Sequence, residues 1–145
     1  METARYKVLI SGIELTIVNA AEALRMAGPF IGDVYVGETL ISKNCIVENF
    51  LLQPNSNNIF YVKYHTINQF GYFSINFFNL EIKTAFEFYK EFQMLYLKEF
   101  SSENEIHIYE SFNDSAGNNY YFKLDEEEFY RLKVINPKSN IRIPK

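Results

Sequence analysis

Apolar and polar residues alternate along most of this chain with a period of two. The alternation begins at Tyr6, breaks at Ser11-Gly12 and resumes through Ile17, which predicts a β-hairpin at the start of the chain. Short stretches rich in Asn, Gly and Pro separate the later alternating segments, as expected of turns between strands. The further strands that this pattern predicts cover residues 34–36, 45–52, 59–64, 72–78, 105–112 and 119–124.

One segment near the N-terminus carries the signals of a short helix instead. In NAAEALRMAGP, Asn19 with Glu22 three residues later is typical of a helix start. Gly28-Pro29 is typical of a helix stop, because glycine closes a helix and proline cannot continue it. We expect a helix of about two turns here.

A second helix is predicted in YYFKLDEEEFYRL. Asp125 as N-cap and Glu128 at the third helical position form a capping box. The run of acids also lies where the helix dipole favours negative charge. Phe129 and Leu132 would form the inner face of this helix.

The segment from Asn79 to Phe100 contains neither Gly nor Pro, and its periodicity fits two structures. Apolar side chains at alternate positions favour strands, whereas a stripe from Ile82 to Phe92 at helical spacing allows a helix. The segment lies among aromatic-rich strands and has no clear N-cap. We therefore favour two strands and keep one helix as the alternative.

Together these patterns predict an α+β fold, a predominantly antiparallel β-sheet with two short helices. The 145 residues, of which 48% are hydrophobic and 22% charged, suit one globular domain with a sizeable core. We place this single β-rich domain at residues 1–136. Residues 137–145 contain two prolines and three bases, and we expect them to form a basic extended C-terminal tail.

The start of the chain lacks the basic flank and the apolar stretch of a signal peptide. No apolar run approaches the length that crosses a bilayer. Cys45 is the single cysteine, so the chain cannot form an internal disulfide. We expect a soluble, cytoplasmic protein without membrane contact, either a monomer or a homodimer.

Charge is distributed unevenly along the chain. Residues 1–80 hold six acids and five bases, whereas residues 81–128 hold twelve acids and four bases. Residues 129–145 hold five bases and no acids, and the net charge is -4. Nucleic-acid binding requires a basic surface, because phosphate attraction dominates affinity. We therefore expect a basic partner and no nucleic acid.

Cofactor and metal motifs are weak in this sequence. GDVYVGET has the glycine spacing of a phosphate-binding loop, but Glu38 stands where lysine is needed, and its carboxylate would repel phosphates. Consecutive acids such as Asp125 and Glu126 diverge around a helix and do not converge on a metal ion. We expect no cofactor and no metal.

Nucleophilic catalysis could draw only on Cys45, His65 and His107. The alternation in NCIVENF makes Cys45 a strand cysteine, and cysteine is among the residue types most often buried. His107 shares a strand face with Glu105 and Tyr109, opposite two isoleucines, which predicts a solvent-facing histidine. We expect that the protein is not an enzyme.

Protein recognition remains, because eleven tyrosines exceed what the core requires and tyrosine is enriched at protein interfaces. In the predicted register Tyr61, Tyr109 and Tyr121 lie opposite the more apolar faces of their strands. An acidic surface with such anchors would attract a basic protein, although the same residues also suit a solvated face without a partner. We predict that Tyr109 and Tyr121 anchor a partner and that the following acids provide steering and ion pairs: Glu103, Glu105, Asp125, Glu126 and Glu127.

The segments NEIHIYESF and NNYYFKLDEEEFYRL resemble the strand and terminal acidic helix common in the immunity proteins that bacteria carry beside polymorphic toxins. The resemblance is to a class with many unrelated folds and covers the second half of the chain. It implies a stoichiometric inhibitor that neutralises a cognate toxin by occluding the toxin's basic site. The alternatives are a phage-encoded anti-defence or accessory binding protein, and a small β-barrel hydrolase or ligand-binding protein that uses His65 or His107.

Overall fold

The computed structural model describes residues 5–22, 29–67, 70–112, 118–125 and 132–134. These residues form eleven β-strands joined by turns and contain no helix, so the predicted α+β class is wrong and the described part of the chain is all-β. The strands are β1 (Arg5–Ile10), β2 (Ile13–Glu22), β3 (Phe30–Val36), β4 (Thr39–Leu52), β5 (Asn58–Ile67), β6 (Phe70–Asn79), β7 (Thr84–Phe92), β8 (Tyr96–Ser102), β9 (Glu105–Tyr109), β10 (Asn119–Lys123) and β11 (Leu132–Val134).

The strands form two antiparallel sheets. The large sheet has eight strands in the order β1-β2-β3-β4-β5-β6-β7-β11, so its first seven strands follow one another in sequence and β11 returns to pair with β7. The small sheet has three strands in the order β10-β9-β8. The prediction of a predominantly antiparallel sheet is confirmed.

Tight turns set the register of the first hairpins. Ser11 and Gly12 form the two-residue loop between β1 and β2, and their φ angles of 48° and 84° fit a type I′ turn. The predicted N-terminal hairpin is therefore confirmed. Gly37 has a φ of 60° in the loop between β3 and β4, so GDVYVGET is part of a hairpin and not of a phosphate-binding loop.

The small sheet packs on one face of the large sheet. The core between the sheets is built from aromatic and branched side chains, because alternate residues of each strand point to the same side. Its buried members are Ile46, Phe60, Val62, Phe73, Ile75, Phe88, Phe92, Leu95, Leu97, Ile106 and Ile108.

The opposite face of the large sheet carries a second cluster of buried side chains. Its apolar part is Leu15, Ile17, Val34, Ile41, Cys45, Val47, Phe50, Ile59, Tyr61, Phe78 and Ala85. Polar residues of β5, β6 and β7 are buried on this same face. Along each strand they stand next to residues of the core between the sheets, so their side chains point to the opposite side. Both faces of the large sheet are therefore buried around β5 and β6.

The two predicted helices are wrong for a common physical reason. Residues 19–22 continue β2, where Ala21 and Glu22 pair with Ile31 and Phe30 of β3. Pairing with β3 provides hydrogen-bond partners for the backbone N–H and C=O groups along this end of β2, whereas a helix cap provides them only for one helix end. Residues 23–28 lie outside the described part of the chain.

The predicted C-terminal helix is also corrected. Asp125 lies in a turn after β10, and Leu132 is paired with Phe88 in the β11–β7 ladder. Leu132 therefore lies in a strand and not on the inner face of a helix. Glu128 and Phe129 lie outside the described residues.

The ambiguous segment 79–100 forms two strands, as favoured from its alternation. Thr84–Phe92 is β7 of the large sheet and Tyr96–Ser102 is β8 of the small sheet, so the chain changes sheets between them. Among the described residues, no helix is long and apolar enough to cross a membrane. The predicted tail at 137–145 lies outside the described residues.

Candidate functional site

The outer face of the small sheet collects aromatic and acidic side chains. Ile106 and Ile108 of β9 point into the core, so Glu105, His107 and Tyr109 point away from the large sheet. Their partners on the neighbouring strands complete three rows across the face, which are Tyr96-Tyr109-Asn119, Glu99-His107-Tyr121 and Ser102-Glu105-Lys123.

Stacked rings form the middle of this face. The rings of His107 and Tyr121 are parallel within 9°, with centroids 4.1 Å apart. Tyr109 lies two residues further along β9, with its ring centroid 5.1 Å from that of His107. The ring of Tyr96 meets that of Tyr109 edge to face. The stack leaves His107 only 8% exposed, whereas Tyr121 is 57% exposed. The face of β9 predicted for His107 is therefore correct, but its predicted exposure is wrong because the tyrosine covers it.

The hydrogen bonds of His107 define its tautomer. Its Nε2 lies 3.2 Å from Oδ1 of Asn119, which can only accept, so Nε2 carries the proton. In the neutral ring Nδ1 is then an acceptor, and no described group lies within hydrogen-bond distance of it. A buried acceptor without a donor reduces the stability of the folded protein.

Acids surround the stacked rings. Glu99, which sequence reasoning missed, is exposed and lies opposite His107 in the register. Glu105 Oε1 accepts a hydrogen bond of 2.7 Å from Ser101 Oγ. On the opposite face of the small sheet, the carboxylate of Glu110 raises the pKa of Tyr120, whose hydroxyl lies 3.3 Å from it. Residues 96–112 and 118–125 hold five acids and two bases, a net charge of -3.

Two predicted binding acids lie away from this face, at one end of the small sheet. Glu103 Oε1 accepts a hydrogen bond of 2.7 Å from Asn55 Nδ2 in the turn between β4 and β5. Asp125 lines an apolar groove of about 220 Å³ between the sheets, beside Phe60 and Phe88. The structure therefore does not group these acids with the tyrosines.

The other predicted residues divide as follows. Glu105, Tyr109 and Tyr121 share the outer face, while Glu126 and Glu127 lie outside the described residues. Tyr61, which was expected opposite the apolar face of its strand, does lie there but is fully buried against the second core. Alternation would have placed Glu99 on the same face as the buried Leu97, because the two residues are two positions apart; an irregularity in the β8–β9 register between them turns Glu99 to the outer face.

A buried polar cluster of His65, Ser74, Asn76 and Glu87 lies on the second face of the large sheet. The carboxylate oxygen Oε2 of Glu87 is 2.5 Å from His65 Nε2 and accepts a hydrogen bond of 2.5 Å from Ser74 Oγ. Asn76 Nδ2 donates to Ser74 Oγ at 2.9 Å. All four residues are at most 1% exposed. Sequence reasoning missed the cluster, although polar residues alternate with apolar or aromatic ones in the short stretches VKYH and FSIN.

This cluster has the residue types of a catalytic triad without its geometry. A catalytic histidine contacts the nucleophile through one ring nitrogen and the acid through the other. Here Nε2 of His65 faces both Ser74 Oγ, at 2.9 Å, and Glu87 Oε2. A proton donated from Nε2 to the carboxylate leaves this nitrogen unable to act as base towards serine. The arrangement instead pairs the buried side chains of His65, Ser74 and Glu87 with one another, whereas Oδ1 of Asn76 has no hydrogen-bond partner among the described residues.

Lys63 and Cys45 are buried beside each other on the same face. Lys63 Nζ donates to Lys43 O at 2.7 Å, and burial lowers the pKa of its amine. Burial raises the pKa of the Cys45 thiol to about 11 and outweighs the opposing effect of Lys63. The thiol is therefore protonated at neutral pH, and the predicted burial of Cys45 is confirmed. Within the described residues, no three side chains of His, Cys, Asp or Glu are grouped to hold a metal ion.

The two clusters differ in access. The buried polar cluster is closed to solvent, whereas the outer face of the small sheet presents Tyr121 and several carboxylates to it. The outer face is therefore the candidate site for recognition. Comparisons with models of protein families, with curated proteins and with solved structures find no match to this chain.

Proposed function

We propose that this chain is a stoichiometric protein-binding inhibitor that uses the outer face of the small sheet against a basic site on its partner. The observation that carries the proposal is Tyr121, whose ring is more than half exposed yet held in place by stacking on His107. A large ring fixed before binding loses little conformational freedom when a partner covers it. Such a ring is well suited to anchor an interface.

The charge of the small sheet supports the choice of partner. Five acids and two bases in the described residues of this sheet give it a net negative charge. A negative surface accelerates association with a positive one and disfavours partners of the same sign. Glu99 and Glu105 flank the stacked rings, so carboxylates would meet Lys or Arg side chains around the tyrosine anchors.

The partner class follows from the resemblance to bacterial immunity proteins. An immunity protein of this kind would bind its cognate toxin in the cytoplasm and block the toxin's basic active site, such as that of a nuclease. The acidic, tyrosine-rich outer face supports this function better than the histidines support an enzyme. His65 is enclosed with Ser74 and Glu87, and His107 is covered by Tyr121.

Growth of bacteria tests the proposed function directly. Each protein encoded beside this chain's gene is expressed from an inducible promoter, with and without this chain. We expect one neighbour to arrest growth alone and to become harmless, in an equimolar complex, when this chain is present. If no neighbour is toxic, or if toxicity persists in the presence of the soluble chain, the inhibitor proposal is wrong.

Variants of the outer face assign the inhibition to this surface. Tyr121→Ala should abolish or strongly weaken protection, because it removes the exposed anchor. Tyr35→Ala is the matched control, since Tyr35 lies on β3 of the large sheet, far along the strand order from the small sheet. Equal protection by the two variants would place the binding surface elsewhere. Inhibition of a host defence protein in place of a toxin would identify the phage-encoded alternative.

A further inference from the structure

The small sheet has an open edge at β10. Glu110 N donates to Asn118 O at 2.7 Å, and Leu124 N donates to Asn104 O at 2.6 Å. In an antiparallel ladder the directly hydrogen-bonded pairs recur at every second residue. Tyr120 and Phe122 therefore bond to Ile108 and Ile106 of β9, in keeping with the register of the two strands.

The intervening residues of β10 direct their backbone groups away from β9. These residues are Asn119, Tyr121 and Lys123, and their side chains are exposed on the outer face. No strand in the described part of the chain pairs with this side of β10. The exposed anchor Tyr121 thus also stands at the centre of a row of backbone donors and acceptors.

We propose that the partner adds an extended, basic segment to the open edge of β10 and so continues the small sheet as a fourth strand. This inference rests on the proposed inhibitor function and adds that the partner binds through an extended strand. Backbone hydrogen bonds would supply affinity, and side chains of the added strand would lie beside Tyr121 on the outer face. Bases of this segment would lie across β10 from Glu105 of β9, at the edge of a sheet whose net charge is -3.

The other sheet edges suit such a segment less well. The edge of β8 is occupied at Leu97, whose backbone N and O both bond to the side-chain amide of Asn49. The edge strand β1 carries two bases, Arg5 and Lys7, and no acid, whereas β10 carries one base and belongs to a sheet of net charge -3. The edge strand β11 carries a base, Lys133, and no acid among its described residues Leu132–Val134.

Charge also distinguishes a basic partner from a second copy of this chain. Pairing β10 with β10 of another copy would bring two sheets of net charge -3 side by side. Like charges at an interface are repulsive, whereas a basic segment is attracted. Lys123 is the last residue of β10 and lies opposite Glu105 of β9. Because like charges repel, we expect the partner residue beside Lys123 not to be a base.

Proline substitution tests the edge without disturbing the β10–β9 ladder. Tyr121→Pro removes an N–H that points away from β9, and edge strands tolerate proline at such positions. Tyr121→Ala is the matched control, because it removes the same side chain and keeps the N–H. Lys123→Pro and Lys123→Ala form a second pair at an exposed position. Circular dichroism and thermal unfolding first establish that all four variants fold.

Binding is measured with the toxic protein that the growth experiment identifies. We expect Kd for each proline variant to be at least tenfold weaker than for its alanine control, since proline removes a hydrogen bond and obstructs the added strand. Amide hydrogen exchange at residues 119, 121 and 123 should slow in the complex.

The possible outcomes separate the two proposals. If proline and alanine variants bind equally and the three amides exchange at unchanged rates, strand addition is wrong while the inhibitor function stands. If no partner is neutralised, both proposals fail. If the chain alone sediments as a dimer that Tyr121→Pro dissociates, a second copy occupies the edge and the proposed basic segment does not.

Discussion

Removal of the Glu87 carboxylate should reveal how much the buried polar cluster contributes to stability. The Glu87 side chain is fully buried, and its Oε2 contacts both the His65 ring and the Ser74 hydroxyl at 2.5 Å. Replacement by alanine leaves these two buried groups without their acceptor. Each buried unpaired group costs about 1–3 kcal/mol, so Glu87→Ala should lower the free energy of unfolding by about 4 kcal/mol.

Urea unfolding, followed by circular dichroism, measures this change. Glu48→Ala is the control, because Glu48 is exposed on the neighbouring strand β4 and its loss should change stability by less than about 0.5 kcal/mol. Ser74→Ala should cost less than Glu87→Ala, since it removes one donor and leaves the histidine contact intact. A cost below about 1 kcal/mol for Glu87→Ala would show that the cluster is not closed and satisfied as described.

A double-mutant cycle separates the pair from its surroundings. If His65 and Glu87 stabilise each other, the double variant that carries both His65→Ala and Glu87→Ala should lose less stability than the sum of the losses in the two single variants. The difference should be at least about 1 kcal/mol. Additive costs would contradict direct coupling. The same variants also address catalysis, because a purely structural cluster predicts that folded variants still neutralise the partner.

The remaining predictions concern three separate places in the fold. Because burial raises the pKa of Cys45 from 9.0 to about 11, the thiol ionises at lower pH in the unfolded chain than in the folded one. Its effect on stability is therefore absent below pH 9, and the free energy of unfolding declines by about 3 kcal/mol as the pH rises to 11. Urea titrations at pH 9 and pH 11 measure this decline, which Cys45→Ser should remove. Gly32→Ala would place a Cβ 2.8 Å from Ile17 Cγ2, so thermal unfolding should show a loss of about 2 kcal/mol; an unchanged Tm would contradict the close packing. Glu99→Lys with Glu105→Lys should slow partner association at least tenfold at low salt and little at high salt, and equal rates at all salt concentrations would show that these acids do not steer the partner.

Features encoded by short stretches of sequence could be predicted. The first hairpin depends on Ser11-Gly12, which adopt the positive φ angles that a two-residue loop requires. The two strands at 84–92 and 96–102 were indicated by alternation and by the aromatic-rich neighbours. In both cases residues close in sequence determine the structure.

Local signals failed where distant strands compete for the same backbone. Asn19 and Glu22 are good residues for a helix start, but strand β3 offers the backbone of β2 a continuous ladder. Asp125 is a good N-cap, yet it lies in the turn that ends β10. A helix cap contributes about 1 kcal/mol, so the pairing of neighbouring strands readily overrides it. The order of strands could not be derived from local preference.

Burial of the polar residues depended on information that alternation does not contain. The period of two correctly places Lys63 and His65 on one face of β5 and Phe60 and Val62 on the other. It does not indicate which faces are covered, and both are buried in this part of the large sheet. Alternation therefore did not predict that Lys63 and His65 are buried, and the partnership of His65 with Glu87 was not anticipated.

The separation of buried and exposed polar groups has a consequence for the function. The buried ionisable residues of the large sheet, Lys63, His65 and Glu87, lie in closed contacts, so substitutions of these residues should act through stability. The small sheet keeps an exposed tyrosine, several carboxylates and an open edge, none of which is needed to fill the core. Exposed aromatics and unpaired strand edges favour association, so their presence together on one sheet supports the proposed binding surface. Substitutions on the outer face should consequently weaken partner binding while leaving the unfolding transition unchanged.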